Sequence, residues 1–188
     1  MLQADQAELV QTSQLVSPVA MTGAHGFLGW HTRGALKAGG QTARLISVGS
    51  EFDLASAADA LSGATRLIHL AGVNRGPDDE VSDGNVFFAQ QMADALRRSD
   101  PPPPVVVYSD SIQAGNGTTY GEAKARAAEV LAKAAADLGL AFVDLRLPNL
   151  FGEHGRPFYN AVTATFCHIL AQGGRPEIGH DKELTLLH

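Results

Sequence analysis

The stretch Thr22-Gly23-Ala24-His25-Gly26-Phe27-Leu28-Gly29 joins a short apolar segment, residues 18–21, to a segment of helical character that lasts to about Lys37. In a strand–turn–helix unit of this kind the first glycine permits the tight turn, the second lets the backbone approach a pyrophosphate, and the third lets the helix pack against the strand. The new helix then offers N–H groups and its positive dipole end to the phosphates. The loop therefore predicts a dinucleotide site whose cofactor-binding residues are Gly23, His25, Gly26, Phe27, Leu28 and Gly29.

Apolar strands and helical segments alternate along the rest of the chain. Strands are predicted at residues 18–21, 43–48, 66–70, 105–108 and 141–147, and helices at 26–37, 55–61, 85–98, 120–138 and 159–171. Strands separated by helix-length segments are typical of βαβ units. We therefore expect an α/β fold, a Rossmann doubly wound parallel sheet with helices on both faces. It would occupy residues 18–188 as one NAD(P)-binding domain, after a flexible N-terminal extension at 1–17.

Composition and charge narrow the classes of function. The 188 residues are 45% hydrophobic and carry a net charge of −6. Because no cluster of Lys and Arg is present, we expect no nucleic-acid partner. Cys167 is the only cysteine, no His or Cys spacing matches a metal site, and the N-terminus lacks the pattern of a secretory signal. No apolar run is long enough to span a bilayer, so we expect no membrane insertion. A single cysteine cannot form an internal disulfide, which favours a reducing, cytoplasmic compartment, and the His and Cys spacing predicts no metal site.

Tyr120 and Lys124 form a Tyr-x-x-x-Lys pattern at the start of an alanine-rich helix. Residues four apart lie on the same helical face. A lysine cation and a bound nicotinamide cation would favour the phenolate, which could exchange a proton with a carbinol while hydride moves to or from the nicotinamide. Just upstream, the buried strand 105–108 ends in Ser109-Asp110-Ser111, and ligands bind at the carboxyl ends of parallel strands. The predicted catalytic residues are Ser111, Tyr120 and Lys124, with Ser109 as the alternative serine.

The segment after the second strand bears on cofactor preference. An acidic residue that binds the ribose of NAD is expected about 20 residues beyond the glycine loop, and Gly49-Ser50 occupies that place. With no carboxylate there to repel a 2′-phosphate, and with His25 and Arg44 nearby, NADP(H) is favoured, while Glu51 could still support NAD(H). The residues predicted at the adenosine end are Ser50, Asp53 and Leu54. Asp53 precedes a helix and could equally be its N-cap.

The motifs and their order resemble those of the extended short-chain dehydrogenase/reductase superfamily, the NAD-dependent epimerases/dehydratases. The shared features are the glycine loop, His69-Leu70-Ala71-Gly72, the strand-end serine and Tyr-x-x-x-Lys. Further stretches are similar to capsular-polysaccharide nucleotide-sugar reductases of the CapF type, over about residues 18 to 187. These are HLAGVNR (69–75), GNV (84–86), SDSIQA (109–114), YGEAK (120–124), PNLFG (148–152), YN (159–160) and ATFC (164–167).

This resemblance implies reduction of a UDP-linked 4-keto-6-deoxy-N-acetylhexosamine by NADPH, on the route to N-acetyl-L-fucosamine. Tyr120 would donate the proton, Lys124 would orient the cofactor ribose and lower the pKa of Tyr120, and Ser111 would hold the keto oxygen. The resemblance further implies cofactor contacts at Leu70, Ala71, Gly72 and Pro148, and substrate contacts at Asn149, Arg156 and Asn160. Proteins of this type continue into more of the sugar pocket and then a metal-binding cupin domain. We therefore expect this chain to be truncated before the C-terminal substrate-binding part.

Other functions stay open at this point. A nucleotide-sugar epimerase would use the same Ser, Tyr and Lys, and a non-catalytic NAD(P)-binding scaffold would need only the glycine loop. A 4,6-dehydratase is disfavoured because Ile112-Gln113 stands where it needs an acid–base pair, and strand alternation is expected to turn Asp110 away from the site. The helices at 85–98 and 120–138 resemble the pair that forms a dimer interface in this superfamily, which predicts a homodimer.

Overall fold

The computed structural model describes residues 18–179, 181 and 183–188, and the predicted extension at 1–17 lies outside the described residues. The strands are β1 (Val19–Thr22), β2 (Ala43–Ile46), β3 (Leu67–His69), β4 (Val105–Ser111), β5 (Ala141–Leu147), β6 (Asn149–Leu150) and β7 (Leu186–Leu187). The helices are α1 (Phe27–Ala38), α2 (Leu54–Leu61), α3 (Asp78–Arg98), α4 (Thr119–Asp137) and α5 (Val162–Ala171), and a 3₁₀ turn covers Gly49–Glu51. Among the described helices, none has the length and apolar character needed to cross a membrane.

The first five strands form one parallel sheet in the order β2-β1-β3-β4-β5. The chain steps from β1 to β2 in one direction and then crosses back to β3 on the other side of β1. The carboxyl ends of β1 and β3 therefore flank the topological switch point, where doubly wound sheets bind ligands. At this edge Thr22 lies opposite His69, and His69 lies opposite Tyr108. The predicted Rossmann-like α/β fold is confirmed.

The hydrophobic core lies between the sheet and the helices α2, α3 and α4. Inward-facing strand residues pack there against the apolar faces of the helices, and the largest buried members are Leu61, Leu67, Met92, Leu96, Val106, Tyr108 and Leu131. Helix α1 contributes no residue to this cluster. Because parallel crossovers are right-handed and the β1–β2 step runs opposite to the others, α1 lies on the other face of the sheet.

Helix α3 begins at Asp78, earlier than the predicted start at Asn85. Pro77 occupies the N-cap position, and the first turn carries Asp78, Asp79 and Glu80. Acidic groups there interact favourably with the positive end of the helix dipole. The sequence prediction relied on apolar periodicity, which does not register a first turn stabilised by charge.

The segment before α5 differs from the prediction of a helix over 159–171. Helix α5 begins at Val162, and Phe158 and Asn160 have left-handed φ values of 60° and 48°. A helix cannot continue through such residues. The Asn160 side chain donates to the carbonyl of Asn74 at 3.2 Å, which ties this loop to the exit of β3.

Candidate active site

A cavity of about 760 Å³ opens at the carboxyl ends of the central strands. The predicted site residues that line it are Gly23, Gly26, Phe27, Leu28, Gly29, Leu70, Gly72, Ser111, Tyr120, Lys124, Pro148, Asn149, Arg156 and Asn160. His25, Ser50, Asp53, Leu54 and Ala71 are not part of this lining. The fold thus brings the glycine loop, the three predicted catalytic side chains and the predicted substrate residues to one cavity.

The glycine loop is packed so closely that side chains cannot be added at two positions. Gly23 has a φ of +67°, and a Cβ there would lie 2.6 Å from the backbone nitrogen of Ala71. A Cβ on Gly29 would overlap the carbonyl oxygen of Gly23 and lie 2.8 Å from the Cα of Ala24. A Cβ on Gly26 would meet only the Gly23 oxygen, at 3.4 Å, so the backbone there is open to a ligand. This is the cradle that a pyrophosphate requires.

Thr22 and His69 brace the two strand ends beside this loop. The Thr22 hydroxyl oxygen accepts from the backbone N–H groups of Leu70 and Ala71, each at 3.2 Å. Since both lone pairs of the hydroxyl are then used, its proton points to Nδ1 of His69, 2.7 Å away. Burial, aided by the charge of Lys124, lowers the pKa of His69 to about 3. The imidazole is therefore neutral. Ala71 does not line the cavity, and its backbone N–H helps to hold the end of β3 against Thr22.

Asn85 of α3 fixes the loop that leaves β3, and sequence reasoning did not assign it this role. Its side-chain oxygen accepts from the N–H of Val73 at 3.2 Å, and its nitrogen donates to the carbonyls of Val73 and Val81, both at 2.8 Å. Gly72 lies against this amide, where a Cβ would come within 2.8 Å of the Asn85 oxygen. The sequence pattern that could have indicated this role is an asparagine four residues from both Val81 and Ala89, on the buried face of a helix. A polar side chain in such a position needs hydrogen-bond partners.

Lys124 extends from α4 over the end of β4. The residue is only 4% exposed. Its ammonium donates to the carbonyl of Ser109 at 2.6 Å and lies 4.1 Å from the centre of the Tyr108 ring. Burial lowers the pKa of Lys124 to about 8, against the opposing charges of Asp110 and Asp144. The hydrogen bond and the aromatic face partly replace the lost hydration of the cation.

Tyr120 is partly buried beside Ser111. Burial raises the pKa of Tyr120; the hydroxyl of Ser111 opposes this change, and the charge of Asp110 adds to it. The expectation that Lys124 lowers this pKa is not met, because the ammonium is held on the Ser109 carbonyl and the Tyr108 ring. In this structure the phenol therefore retains its proton at neutral pH.

The two serines at the end of β4 have different partners. The hydroxyl of Ser109 donates to the carbonyl of His69 at 3.2 Å, so its proton is bonded to the neighbouring strand β3 and does not point into the cavity. The hydroxyl of Ser111 accepts from the N–H of Gln113 at 3.1 Å, which leaves its proton to point to the Tyr120 side of the cavity. The geometry thus favours Ser111 as the serine beside Tyr120.

Asp110 lies in a different environment from the expected one. It was predicted to turn away from the site, yet it lines the cavity and is 4% exposed. Strand alternation does place it on the face of Tyr108, but Lys124 reaches onto that same face. Alternation along β4 is a local pattern and does not show that a residue of α4 reaches this face.

The turn after β2 is held by Gln91 of α3. Its side chain accepts from the N–H of Gly49 at 2.8 Å and donates to the carbonyl of the same residue at 3.0 Å. Ser50 is exposed on this turn. Of the two interpretations of Asp53, the structure shows the N-cap, since its carboxylate accepts from the N–H of Ser56 at 2.8 Å. Leu54 packs against the hydrophobic core.

Arg44 does not extend towards the ribose end of the site. Its guanidinium donates to the carbonyl of Ser62 at 2.8 Å and to those of Asp59 and Ala60 at 3.4 Å. These carbonyls end helix α2, where a cation is favourable. Arg44 therefore does not support NADP(H) binding. His25, in the glycine loop, is basic and exposed.

Two guanidinium groups converge on one tyrosine at the outer side of the cavity. Arg156 and Arg75 lie 5.1 and 5.6 Å from the centre of the Tyr159 ring. Asn149 and Asn160 line both the main cavity and an adjoining one of about 510 Å³. This side of the site therefore combines positive charge, amide groups and an aromatic face.

The sequence matches the NAD dependent epimerase/dehydratase family over residues 19–186. It is 32% identical over 173 residues to the UDP-2-acetamido-2,6-beta-L-arabino-hexul-4-ose reductase of Pseudomonas aeruginosa. That match covers 90% of this chain and 46% of the relative, so the chain spans about half the length of that protein.

Solved structures show the same similarity. The capsular polysaccharide assembling protein CapF from Staphylococcus aureus is 34% identical, with a TM-score of 0.74 over 90% of this chain and 46% of that one. The UDP-glucose 4-epimerase of Thermotoga maritima, solved with UDP-glucose, has a TM-score of 0.71 at 18% identity over 87% of this chain and 66% of that one, which shows a shared fold. The resemblance predicted from the motifs is confirmed: this chain belongs to the NAD dependent epimerase/dehydratase family.

Proposed function

We propose that this chain provides the NAD(P)-binding and catalytic part of an oxidoreductase. Its reaction would be the reduction of a 4-keto nucleotide sugar, of the UDP-4-keto-6-deoxy-N-acetylhexosamine type, in the biosynthesis of a surface polysaccharide. The curated relative, a reductase of a UDP-linked hexul-4-ose, supports this substrate class. We assign the reaction to the cytoplasm on the sequence features given above.

The observation that carries this proposal is the convergence of Ser111, Tyr120 and Lys124 with the glycine loop on one cavity. A non-catalytic binding domain would need the loop but not a proton donor. The close packing at Gly23 and Gly29 and the open backbone at Gly26 fit the pyrophosphate of a dinucleotide. When bound, NAD(P)H supplies the hydride that a keto carbon accepts.

The protein's own groups then handle the oxygen of the substrate. The protonated phenol of Tyr120 suits the donation of a proton to the keto oxygen as the carbon is reduced. Ser111 would donate a hydrogen bond to the same oxygen and hold it beside the phenol. Lys124, whose ammonium lies beside the cavity, would donate to the cofactor ribose and orient it.

The substrate side is proposed to hold the sugar nucleotide. Arg156 carries an exposed guanidinium that suits a diphosphate. Asn149 and Asn160 extend from the main cavity into the adjoining one, and their amides suit sugar hydroxyl and N-acetyl groups.

The cofactor is proposed to be NADP(H) in preference to NAD(H). The support is the hydroxyl of Ser50 in the position where a ribose-binding carboxylate would repel a 2′-phosphate. Glu51, the next residue, is the group that could reverse this preference.

Titration of the purified chain with NADPH and with NADH, followed by nicotinamide fluorescence, tests both proposals. We expect tighter binding of NADPH, and oxidation of the cofactor only after a UDP-4-keto sugar is added. Oxidation in proportion to the sugar consumed would establish a reductase. Interconversion of a UDP-sugar without net oxidation would identify an epimerase, and binding without any turnover would support a scaffold. If neither cofactor binds, the dinucleotide site itself is wrong.

We also propose that the chain forms a homodimer through the paired helices α3 and α4. Phe87 of α3 is 53% exposed, although large apolar side chains are usually buried. Light scattering should give twice the 19.7 kDa of one chain, and Phe87→Glu should reduce this to the monomer mass. Ile178→Glu, at a residue that is 70% exposed outside these helices, is the control and should leave the dimer intact. A wild-type monomer at micromolar concentration would contradict the proposal.

A further inference from the structure

Asp110 presents a buried carboxyl group at the end of β4. Burial raises its pKa, the charge of Asp144 adds to this change, and the charge of Lys124 opposes it. The residue is 4% exposed, and within the described part of the chain neither of its side-chain oxygens has a hydrogen-bond partner. A buried carboxylate without hydrogen bonds costs stability, because no group in the protein replaces the water it has lost. Buried ionisable groups of this kind occur frequently at functional sites.

The surroundings of Asp110 show where its charge acts. It lies on the same face of the sheet as Tyr108, over whose ring the Lys124 ammonium sits. Across β4 and β5, Tyr108 is opposite Asp144 and Asp110 is opposite Arg146, so the two aspartates are diagonal neighbours. The titratable and charged groups that face Asp110 are Tyr108, Asp144, Arg146, Tyr120 and Lys124.

Asp144 cannot fill the same role as effectively. Its side chain is 28% exposed, and its carboxylate already accepts from Nε of Arg146 at 3.2 Å. Solvent and a paired guanidinium both weaken the field that it exerts on Lys124. Asp110 is more deeply buried, and among the described residues no cation lies within 4.0 Å of it, so its field on the ammonium is screened less.

We propose that Asp110 is a positioning residue of this site, whose carboxylate keeps the buried Lys124 ammonium charged and directed to the carbonyl of Ser109 beside the cavity. The catalytic part of this proposal rests on the proposed function. The effect of Asp110 on Lys124 does not, because it involves only residues of this chain. It acts through space, since no ion pair within 4.0 Å joins Lys124 to a carboxylate among the described residues. Without Asp110, Asp144 would be the remaining carboxylate, among those named for Lys124, that opposes the effect of burial on its pKa.

The titration of Lys124 tests this without cofactor or substrate. The sequence holds four lysines, at 37, 124, 133 and 182, so carbon-13 labelling of lysine gives few NMR signals, and Lys124→Met assigns the one of interest. In the wild type this signal should titrate near pH 8, as its lowered pKa requires. In Asp110→Asn the midpoint should fall by about one pH unit, a tenfold change in the ionisation constant. Asp144→Asn should move it by less than half as much.

A second measurement separates this role from a structural one. Because Asp110→Asn removes an unpaired buried charge, it should leave the melting temperature unchanged or higher. An unchanged or higher Lys124 midpoint in Asp110→Asn would overturn the proposal. A larger effect of Asp144→Asn, or loss of the folded state in Asp110→Asn, would overturn it as well.

Turnover gives a further readout if the proposed function holds. Activity that requires the ammonium declines as pH rises through the pKa of Lys124. In Asp110→Asn this decline in kcat should begin at lower pH, with roughly a fivefold loss relative to wild type at pH 8 and little loss at pH 6, and with KM for the sugar unchanged. A chain without turnover would refute the proposed function, whereas the NMR titration would still decide the role of Asp110.

Discussion

Gly29→Ala is expected to destabilise the chain by about 3 kcal/mol or more and to abolish binding of a nicotinamide dinucleotide. The added Cβ would overlap the carbonyl oxygen of Gly23 and come within 2.8 Å of the Cα of Ala24. Both neighbours are backbone atoms of the loop that starts α1, so no side-chain rotation can relieve the overlap. Either α1 moves away from β1 or the loop changes shape, and each outcome removes the phosphate cradle. Denaturant unfolding and a fluorescence titration with NADPH measure the two effects.

Gly34→Ala is the matched control, because it makes the same substitution in the same helix. A Cβ at Gly34 would meet nothing within 4 Å. Since alanine restricts the unfolded chain more than glycine does, this variant should be more stable by about 0.5–1 kcal/mol, with unchanged cofactor affinity. Equal losses in the two variants would show that α1 tolerates no added methyl group, and that the packing of the glycine loop is not the cause.

The parts of the fold that the sequence predicted are those set by local pattern. Apolar runs predicted four of the five strands of the main sheet close to their observed bounds, and the glycine spacing predicted the turn between β1 and α1. The order of functional motifs also placed Ser111, Tyr120 and Lys124 at one cavity. In a parallel sheet the carboxyl ends of neighbouring strands share one edge. A residue that is predicted to end a strand is therefore also predicted to lie at that edge, where ligands bind.

The parts that the sequence did not predict depend on contacts between distant segments. Gln91 holds the turn at Gly49, and Asn85 holds the loop at Val73, through side-chain amides bonded to backbone groups. Arg44 was assigned to a phosphate but ends α2. A polar side chain can serve a ligand or a nearby backbone group equally well, and only the packed fold shows which partner lies within reach.

The choice between Ser109 and Ser111 illustrates the same limit within one strand. Both residues face the same side of β4, and no local pattern separates them. The distinction comes from the carbonyl of His69 on the neighbouring strand, which accepts the Ser109 hydroxyl.

Tyr120→Phe is expected to lower kcat for the reduction of a UDP-4-keto sugar by about 10²- to 10⁴-fold, with NADPH affinity and the melting temperature nearly unchanged. The substitution removes only the phenolic O–H, which is the proposed proton source, and leaves the ring that lines the cavity. Tyr159→Phe is the matched control: it removes a hydroxyl from the outer side of the same cavity, where that group donates to the side chain of Asn74 at 3.3 Å. We expect kcat within about twofold of wild type in this control, because a hydroxyl that does not transfer a proton contributes to binding alone. Tyr120→Phe that retains full activity would refute the assignment of Tyr120 as proton donor, and the proton would then have to come from Ser111, the other hydroxyl beside the expected position of the keto oxygen.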